Sequence, residues 1–400
     1  MIPGGAASGR VLLIDAQWNK SVAAIRSLGR RGLSVTAGES TRLAAGLFSR
    51  YARRRVRYPS PLARPEAFLS SLVRELRRSS YDLLLPMELR TLLLLSRCRQ
   101  RIKGLCRFPF APDGILRRAA SKVETVQTAG RLGIPHPRSV RLQSGRAWDS
   151  GSLCRDPGLP LVLKPDLSEG GRGLFYCRDR DELETALPQA QVAGQDYLAQ
   201  EMIPWGGDPL GVSLLLGAGG ELLAGFTHRR LREYPVSGGP STLRESFAHS
   251  GAEADALRLL QGMGFSGPAM VEFRVDPRDG LAKLMEINPR FWGSLPLAIL
   301  AGVDFPYLLY RSAIGRPIDV GFPAAPGFRL RNLLPGELLY LLAKRGRVAR
   351  DFWSWRQAGD ELLSLDDPGP VLGRLLSSLG LVLDPQLRSV LQSRQDPGPG

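Results

Sequence analysis

Lysine is scarce in this chain of 400 residues: the 54 basic residues comprise 48 arginines and six lysines, at positions 20, 103, 122, 164, 283 and 344. A lysine placed beside a motif is therefore a feature to account for. Cysteine is scarce too, and Cys98, Cys106, Cys154 and Cys177 lie too far apart for a CxxC redox or metal motif or for a disulfide framework. Reduced thiols are the expectation. Long apolar runs are missing: Val11–Ile14 is stopped by Asp15, too early for a signal core, and no stretch approaches the roughly 18 apolar residues of a membrane span. The chain reads as cytoplasmic. No GxGxxG follows the first strand and no GxxxxGK[ST] occurs anywhere, which excludes the two commonest glycine-rich nucleotide signatures.

What is present is an ordinary globular composition, 43% hydrophobic and 23% charged, over a length that implies two or three domains at about 100–200 residues each. The formal charge of +16 is diffuse. Runs such as Arg53-Arg54-Arg55 and Arg97 to Lys103 are short and lack interleaved aromatics. They fit solvated faces or strand flanks better than a phosphate-backbone footprint, so no specific nucleic-acid partner is expected.

Residues 1–9 are small and Gly-rich, as in a flexible leader. From there, apolar Val11–Ile14, helically spaced Ser21–Leu28 and β-branched Leu33–Thr36 alternate; a helix over Pro65–Arg78, a strand over Tyr81–Leu85 and a helix near Glu88–Arg99 continue the series. This alternation implies a parallel sheet between helices, in a domain spanning about 10–115. One helix is expected over Ile115–Leu132, ending at Gly133, with Pro135 and Pro137 behind it. Beyond lie hairpins: strands at Leu161–Lys164, at Gly211–Leu216 and Glu221–Thr227 around Gly217–Gly220, and at Met270–Val275 and Leu281–Ile287 around Asp276–Gly280. The chain turns helical after Pro296, and 329–400 reads as a helical region with a Pro/Gly tail.

The last hairpin carries the chemistry. If Val275 faces Lys283, then Glu272 faces Glu286, and Asn288 follows on the same face. Acids directly opposed across a sheet repel, so the pair makes sense with a cation between them. Oxygen donors from Glu272, Glu286 and Asn288 suit Mg²⁺ or Mn²⁺ rather than Zn²⁺. The other reading is an exposed face with scattered acids. Lys164 ends an apolar strand and is followed by Ser168-Glu169-Gly170-Gly171-Arg172-Gly173, a loop whose N–H groups can approach phosphate. A plain Gly-rich turn is the alternative. At Gln200–Asp208, a backbone edge can bond a flat base while an acid seven positions after Glu201 accepts ribose hydroxyls.

Taken in order, these segments resemble the ATP-grasp superfamily and, within it, the carbamoyl-phosphate-synthetase-like carboxylate-amine ligases. The resemblance runs from Ser121-Lys122 and Gly133-Ile134-Pro135-His136-Pro137, through Leu163-Lys164-Pro165 and Gln200-Glu201, to Met285-Glu286-Ile287-Asn288-Pro289-Arg290, about half the chain. It implies an α/β and α+β fold: a Rossmann-like pre-ATP-grasp domain at 10–115 and an ATP-grasp domain at 116–328. The latter would hold ATP between two antiparallel sheets, with a lid at about 136–198, and a helical C-terminal extension would follow.

The resemblance also implies roles. Lys122 and Lys164 would hold ATP phosphates under the loop of Ser168, Gly170, Gly171 and Gly173. Glu201, Met202 and Ile203 would form the adenine-reading hinge, Asp208 would meet the ribose, and Glu272, Glu286 and Asn288 would ligate Mg²⁺ or Mn²⁺. Arg290 would meet the transferring phosphate or the carboxylate. The segment Thr227–Pro235 with Ser237–Thr242 resembles one in uncharacterised ATP-grasp carboligases, where Arg230 would bind an acidic substrate; an ordinary basic strand and turn is the alternative. His136, His228 and His249 read as surface or packing residues. The implied activity is ADP-forming ligation of a carboxylate to an amine or similar nucleophile. The other classes are phosphotransfer to a small molecule and non-catalytic nucleotide binding. Assembly is open, a homodimer included.

Overall fold

Val11, Leu12, Leu13 and Ile14 are buried on both sides, as a central parallel strand between helices requires. In the computed structural model, which describes residues 9–168, 173–234, 241–318, 321–322, 327–343 and 358–383, they form β1 (Arg10–Ile14). β2 (Ser34–Glu39), β3 (Ala52–Arg57) and β4 (Leu83–Pro86) join it in a parallel sheet of order β3-β2-β1-β4. Side chains alternate along β1. Val11 and Leu13 pack with Ile25 and Leu28 of helix α1 (Asn19–Arg30), whereas Leu12 and Ile14 pack with Phe68, Leu69 and Leu72 of α2 (Pro65–Arg78). The arginine run at 53–55 is itself part of edge strand β3, with Arg53, Arg55 and Arg57 outward and Arg54 turned in to Glu75.

The helix expected over Ile115–Leu132 is broken in two. After α3 (Leu89–Arg97), α4 (Asp113–Ala120) stops at Ser121, and α5 (Lys122–Leu132) begins there. Ser121 is extended (ψ 122) and its hydroxyl accepts from the Glu124 N–H, the Ser-x-x-Glu cap that a periodicity reading passes over. The same hydroxyl donates to Asp166, whose carboxylate also takes the Val123 N–H. This cap aims Lys122 towards the loop behind Lys164. Ser121→Ala is expected to cost about 1–2 kcal/mol, read as a lower denaturant midpoint at unchanged m-value.

Two antiparallel assemblies follow. The smaller sheet, β5-β8-β6-β7, is built from β5 (Ser139–Leu142), β6 (Leu161–Pro165), β7 (Phe175–Cys177) and β8 (Tyr197–Glu201). The larger, of order β13-β12-β9-β10-β11-β14-β15, comprises β9 (Pro209–Leu216), β10 (Leu222–Glu233), β11 (Ser241–Ser246), β12 (Gly267–Val275), β13 (Ala282–Asn288), β14 (Arg329–Arg331) and β15 (Ala358–Asp360). β14 and β15 come from the stretch expected to be helical, so that stretch also extends the sheet. Helix Gly369–Leu383 returns towards the segment Ala45–Phe48 of the first domain, where the Phe48 carbonyl lies against Gly369.

Residues 1–8 of the expected leader 1–9, Gly170 and Gly171, loop residues 235–240 and the tail from 384 lie outside the described residues, whereas Gly9 is described and buried.

Candidate active site

The hairpin β12–β13 departs from the expected register in an informative way. Val275 pairs with Ala282 rather than Lys283, and Phe273 pairs with Leu284. A bulge then inserts Met285, after which Glu272 faces Glu286 and Met270 faces Asn288. A one-residue slip exchanges the two faces of a strand. Continued without the bulge, the register at the turn would put Met285 opposite Glu272 and send Glu286 to the core side with Leu284. The inserted residue is what sets both acids on one face.

That face already holds protein cations. Arg230 donates to Glu272 and, at 3.0 Å, to Glu233, while Asn288 Nδ2 donates to the other Glu272 oxygen at 2.9 Å. Lys122 Nζ stands 3.5 Å from Glu286 and donates to the Ser168 carbonyl at 3.0 Å. Arg230 and Lys122 thus stand beside the two facing acids, and side-chain cations share the charge that a metal was expected to balance. Burial raises the Glu272 carboxyl above its usual value, against the pull of Arg230, and the neighbouring Glu286 adds to the rise. At Glu286, burial is outweighed by Lys122, Lys164 and Arg230, and the carboxyl sits below its usual value. Arg230 is raised because Glu272 and Glu233 outweigh its burial.

Lys164 projects from β6 in the smaller sheet. Its Nζ bonds Gln200 Oε1 at 2.5 Å, the diagonal neighbour across the Val162–Gln200 pair. Burial pushes this ammonium down to about 8; Glu286 and Glu272 oppose the fall, while Lys122 and Arg274 deepen it. Those influences come from the larger sheet and from α5, so the two sheets face one another across the lysines and acids. Among the described residues no three His, Cys, Asp or Glu side chains converge on one point. The oxygen donors here are two carboxylates and an amide, a set that suits a hard divalent ion completed by phosphate and water.

The remaining expected residues divide. Ser168 lies against Lys122, and Gly173 has φ +71, a conformation few side chains adopt. The Glu201 carboxylate is occupied by Arg138 and, at 2.7 Å, by Arg278, while its N–H bonds the Arg138 carbonyl. Met202 N–H bonds the Pro160 carbonyl; no described residue bonds the N–H of buried Ile203. Arg290 bonds the Phe291 carbonyl, which also receives Lys20 Nζ, itself paired with Glu88 at 2.6 Å.

Asp208 is not brought to the cluster. Its carboxylate pairs with Arg229, and consecutive Arg229 and Arg230 on β10 point to opposite faces, so it stands away from the Glu272 side. His228 is neither exposed nor loosely packed: its ring lies over Gly211, where a Cβ would come within 2.2 Å, and stacks on Phe226.

The sequence reading passed over Gln200, Glu233, Arg274 and Arg244. Gln200 was visible in principle, as the residue before Glu201 on a strand antiparallel to that of Lys164. The others depend on strand order in the larger sheet.

With this geometry in place, the comparisons are direct. Residues 226–333 match the family described as "ATP-grasp in the biosynthetic pathway with Ter operon". Over that segment the chain is similar to ATP-grasp proteins. The large chain of carbamoyl phosphate synthase from Deinococcus radiodurans is 28% identical over 224 residues, 54% of this chain and 21% of that protein, so this chain spans about a fifth of its length. The biotin carboxylase domain of the Hydrogenobacter thermophilus 2-oxoglutarate carboxylase, solved with MgADP, ADP and bicarbonate, aligns with TM-score 0.65 and 16% identity over 80% of this chain and 72% of that one. An L-amino acid ligase from Bacillus licheniformis aligns with TM-score 0.59 and 18% identity over 76% of this chain and 74% of that one. These two show the fold. No helix among the described residues is long and apolar enough to cross a membrane.

Proposed function

We propose that the chain is an ADP-forming ligase that activates a carboxylate with ATP and joins it to an amine or similar nucleophile. The observation that carries this reading is the opposition of Glu272 and Glu286 on a face that also presents Arg230, directly across from Lys164 and Lys122. Phosphoryl transfer needs positioning and charge neutralisation rather than an enzyme nucleophile, and this set supplies both.

In this reading Lys122 and Lys164 hold the triphosphate beneath the loop that includes Ser168, Gly170, Gly171 and Gly173. The Ile203 N–H, with the main chain at Glu201 and Met202, edges the adenine. Asp208 has a ribose role only by leaving Arg229, and its present placement does not support one. Glu272, Glu286 and Asn288 would hold Mg²⁺ or Mn²⁺, which would supply positive charge against the phosphates. Arg230 then exchanges Glu272 for the substrate carboxylate, a bidentate match for guanidinium, and Arg290 steadies the transferring group.

A substrate carboxylate oxygen attacks the γ-phosphorus, the bond to the bridging oxygen breaks and ADP leaves. The amine nitrogen then adds to the acyl carbon, loses its proton and expels inorganic phosphate. The carbamoyl phosphate synthase and amino acid ligase likenesses agree with this class of chemistry.

The test incubates the full chain with MgATP, a carboxylate panel and hydroxylamine. ADP release accompanied by a hydroxamate is expected for an acyl phosphate. ADP release with a stable phosphorylated product and no hydroxamate would instead establish a phosphotransferase, and nucleotide binding without any release would remove the enzymatic reading.

A further inference from the structure

Arg274 lies on β12 two residues beyond Glu272 and on the same face, with its side chain only 18% exposed. The cations around it are committed. Lys283, its partner across β12 and β13, lies 2.6 Å from Asp276 and 3.0 Å from Asp279, while Arg278 meets Asp276 at 2.6 Å and Glu201 at 2.7 Å. Arg274 itself makes no hydrogen bond among the described residues. Its ion contact with Glu233 is long, 3.8 Å, and Glu233 already accepts from Arg230 at 3.0 Å. The guanidinium lies instead over the ring of exposed Trp205, 5.5 Å from its centre. A cation–π contact holds a guanidinium without using its N–H donors. A largely buried cation with its donors unspent offers a place to an anion.

The end of β12 packs against the segment that would edge the base. Val275 N–H bonds the Asp208 carbonyl at 3.0 Å, a Cβ on Gly207 would come within 1.7 Å of the Val275 carbonyl oxygen, and Arg278 reaches Glu201. Arg274 therefore stands between residues 201–203 and Glu272, which lies about 7 Å back along the strand. It also acts on Lys164, whose ammonium it depresses together with Lys122. We infer that Arg274, held on Trp205, receives the α-phosphate of the nucleotide. This rests on the ligase reading above: with the base edged at 201–203 and the terminal phosphates at Lys122 and Lys164, the phosphate next to the ribose is the one that passes Arg274. With Asp208 drawn away by Arg229, this side of the site presents a cation rather than the expected ribose-binding acid.

Adenosine, AMP and ADP are titrated calorimetrically, with Mg²⁺, into the full chain and into Arg274→Met. Loss of the guanidinium is expected to weaken AMP and ADP by the same factor, about tenfold or more, and to leave adenosine unchanged, because the α-phosphate is what the first two share and the third lacks. Arg274→Lys, which keeps the charge without the fork, should recover part of the loss. Trp205→Leu removes the ring that holds the guanidinium and should give the same pattern at smaller size, so it decides the matter should Arg274→Met fold poorly. An unchanged ADP affinity in Arg274→Met overturns the assignment. So does a loss for ADP that AMP does not share, which would put the cation on the β-phosphate, or an equal loss for adenosine, which would make it a support for the base segment. The ligase reading fails separately: ADP bound through Arg274 with no hydroxamate from any carboxylate leaves the α-phosphate contact standing and removes ligation. An unaltered chain that binds none of the three nucleotides overturns both.

Discussion

Replacing Glu286 with alanine is expected to lower ADP release by about 10²–10³-fold at saturating Mg²⁺, with the far-ultraviolet circular dichroism unchanged. Glu286 is the acid on which Lys122 and Lys164 both act and the one that faces Glu272. Without it the proposed metal site would lose a charged oxygen, and the two ammonium groups lose the carboxylate beside them. The fold has less to lose, because Lys122 keeps the Ser168 carbonyl and the Glu286 side chain is 32% exposed. Turnover by Glu286→Ala at the rate of the unaltered chain would remove the assignment. Glu286→Gln, which preserves volume and removes charge, separates lost electrostatics from lost packing.

The second large effect concerns proton uptake. The Lys164 ammonium sits near 8 in the fold against 10.5 when unperturbed, because burial disfavours its charged form. Between those values an unfolded lysine holds a proton that the folded one lacks. The contribution of this residue to stability therefore rises with pH through that window. Nucleotide binding has the opposite sign. If Lys164 holds nucleotide phosphate as proposed, the ammonium is required, so above about pH 8 binding would draw a proton from solution and affinity would fall by about tenfold per pH unit. Calorimetric titration of ADP in two buffers of different ionisation heat at pH 9 should show uptake approaching one proton. Lys164→Met should abolish that uptake and weaken binding. An identical uptake in Lys164→Met would assign the proton elsewhere.

Much of the site was legible because its signals are local. Leu161-Val162-Leu163-Lys164 reads as a buried strand ending in a charge, and the turn at Asp276–Gly280 announces a hairpin with an acid on each arm. Helices Asn19–Arg30 and Pro65–Arg78 follow from apolar spacing, and α2 has the bounds that spacing implies. Opposition of Glu272 and Glu286 was reached through a register that holds only beyond the bulge at Met285. A bulge is set by how the sheet twists against its neighbours, which the hairpin's own residues do not state.

Other features had no local signal. Asp208 stands beside a Gly-Gly turn as a ribose-binding acid would, but Arg229, opposite Leu210 across the β9–β10 hairpin, draws it to the other face. Arg244 lies in a stretch without apolar rhythm, and its setting depends on Arg230 opposite, Gly293 below and Glu361 from the C-terminal region. β14 and β15 are three residues each, too short for period-two alternation to register; β14 takes the edge that β11 offers, and β15 the edge of β14.

The sequence by itself determined the alternating α/β character of the first domain and the side chains able to hold phosphate and a hard cation, since each follows from spacing within a few residues. Tertiary structure alone decided which cation neutralises which acid, on which face Asp208 stands and what Arg244 meets. Those outcomes depend on which strands pair and in what register, and a carboxylate goes to whichever guanidinium that pairing brings within reach.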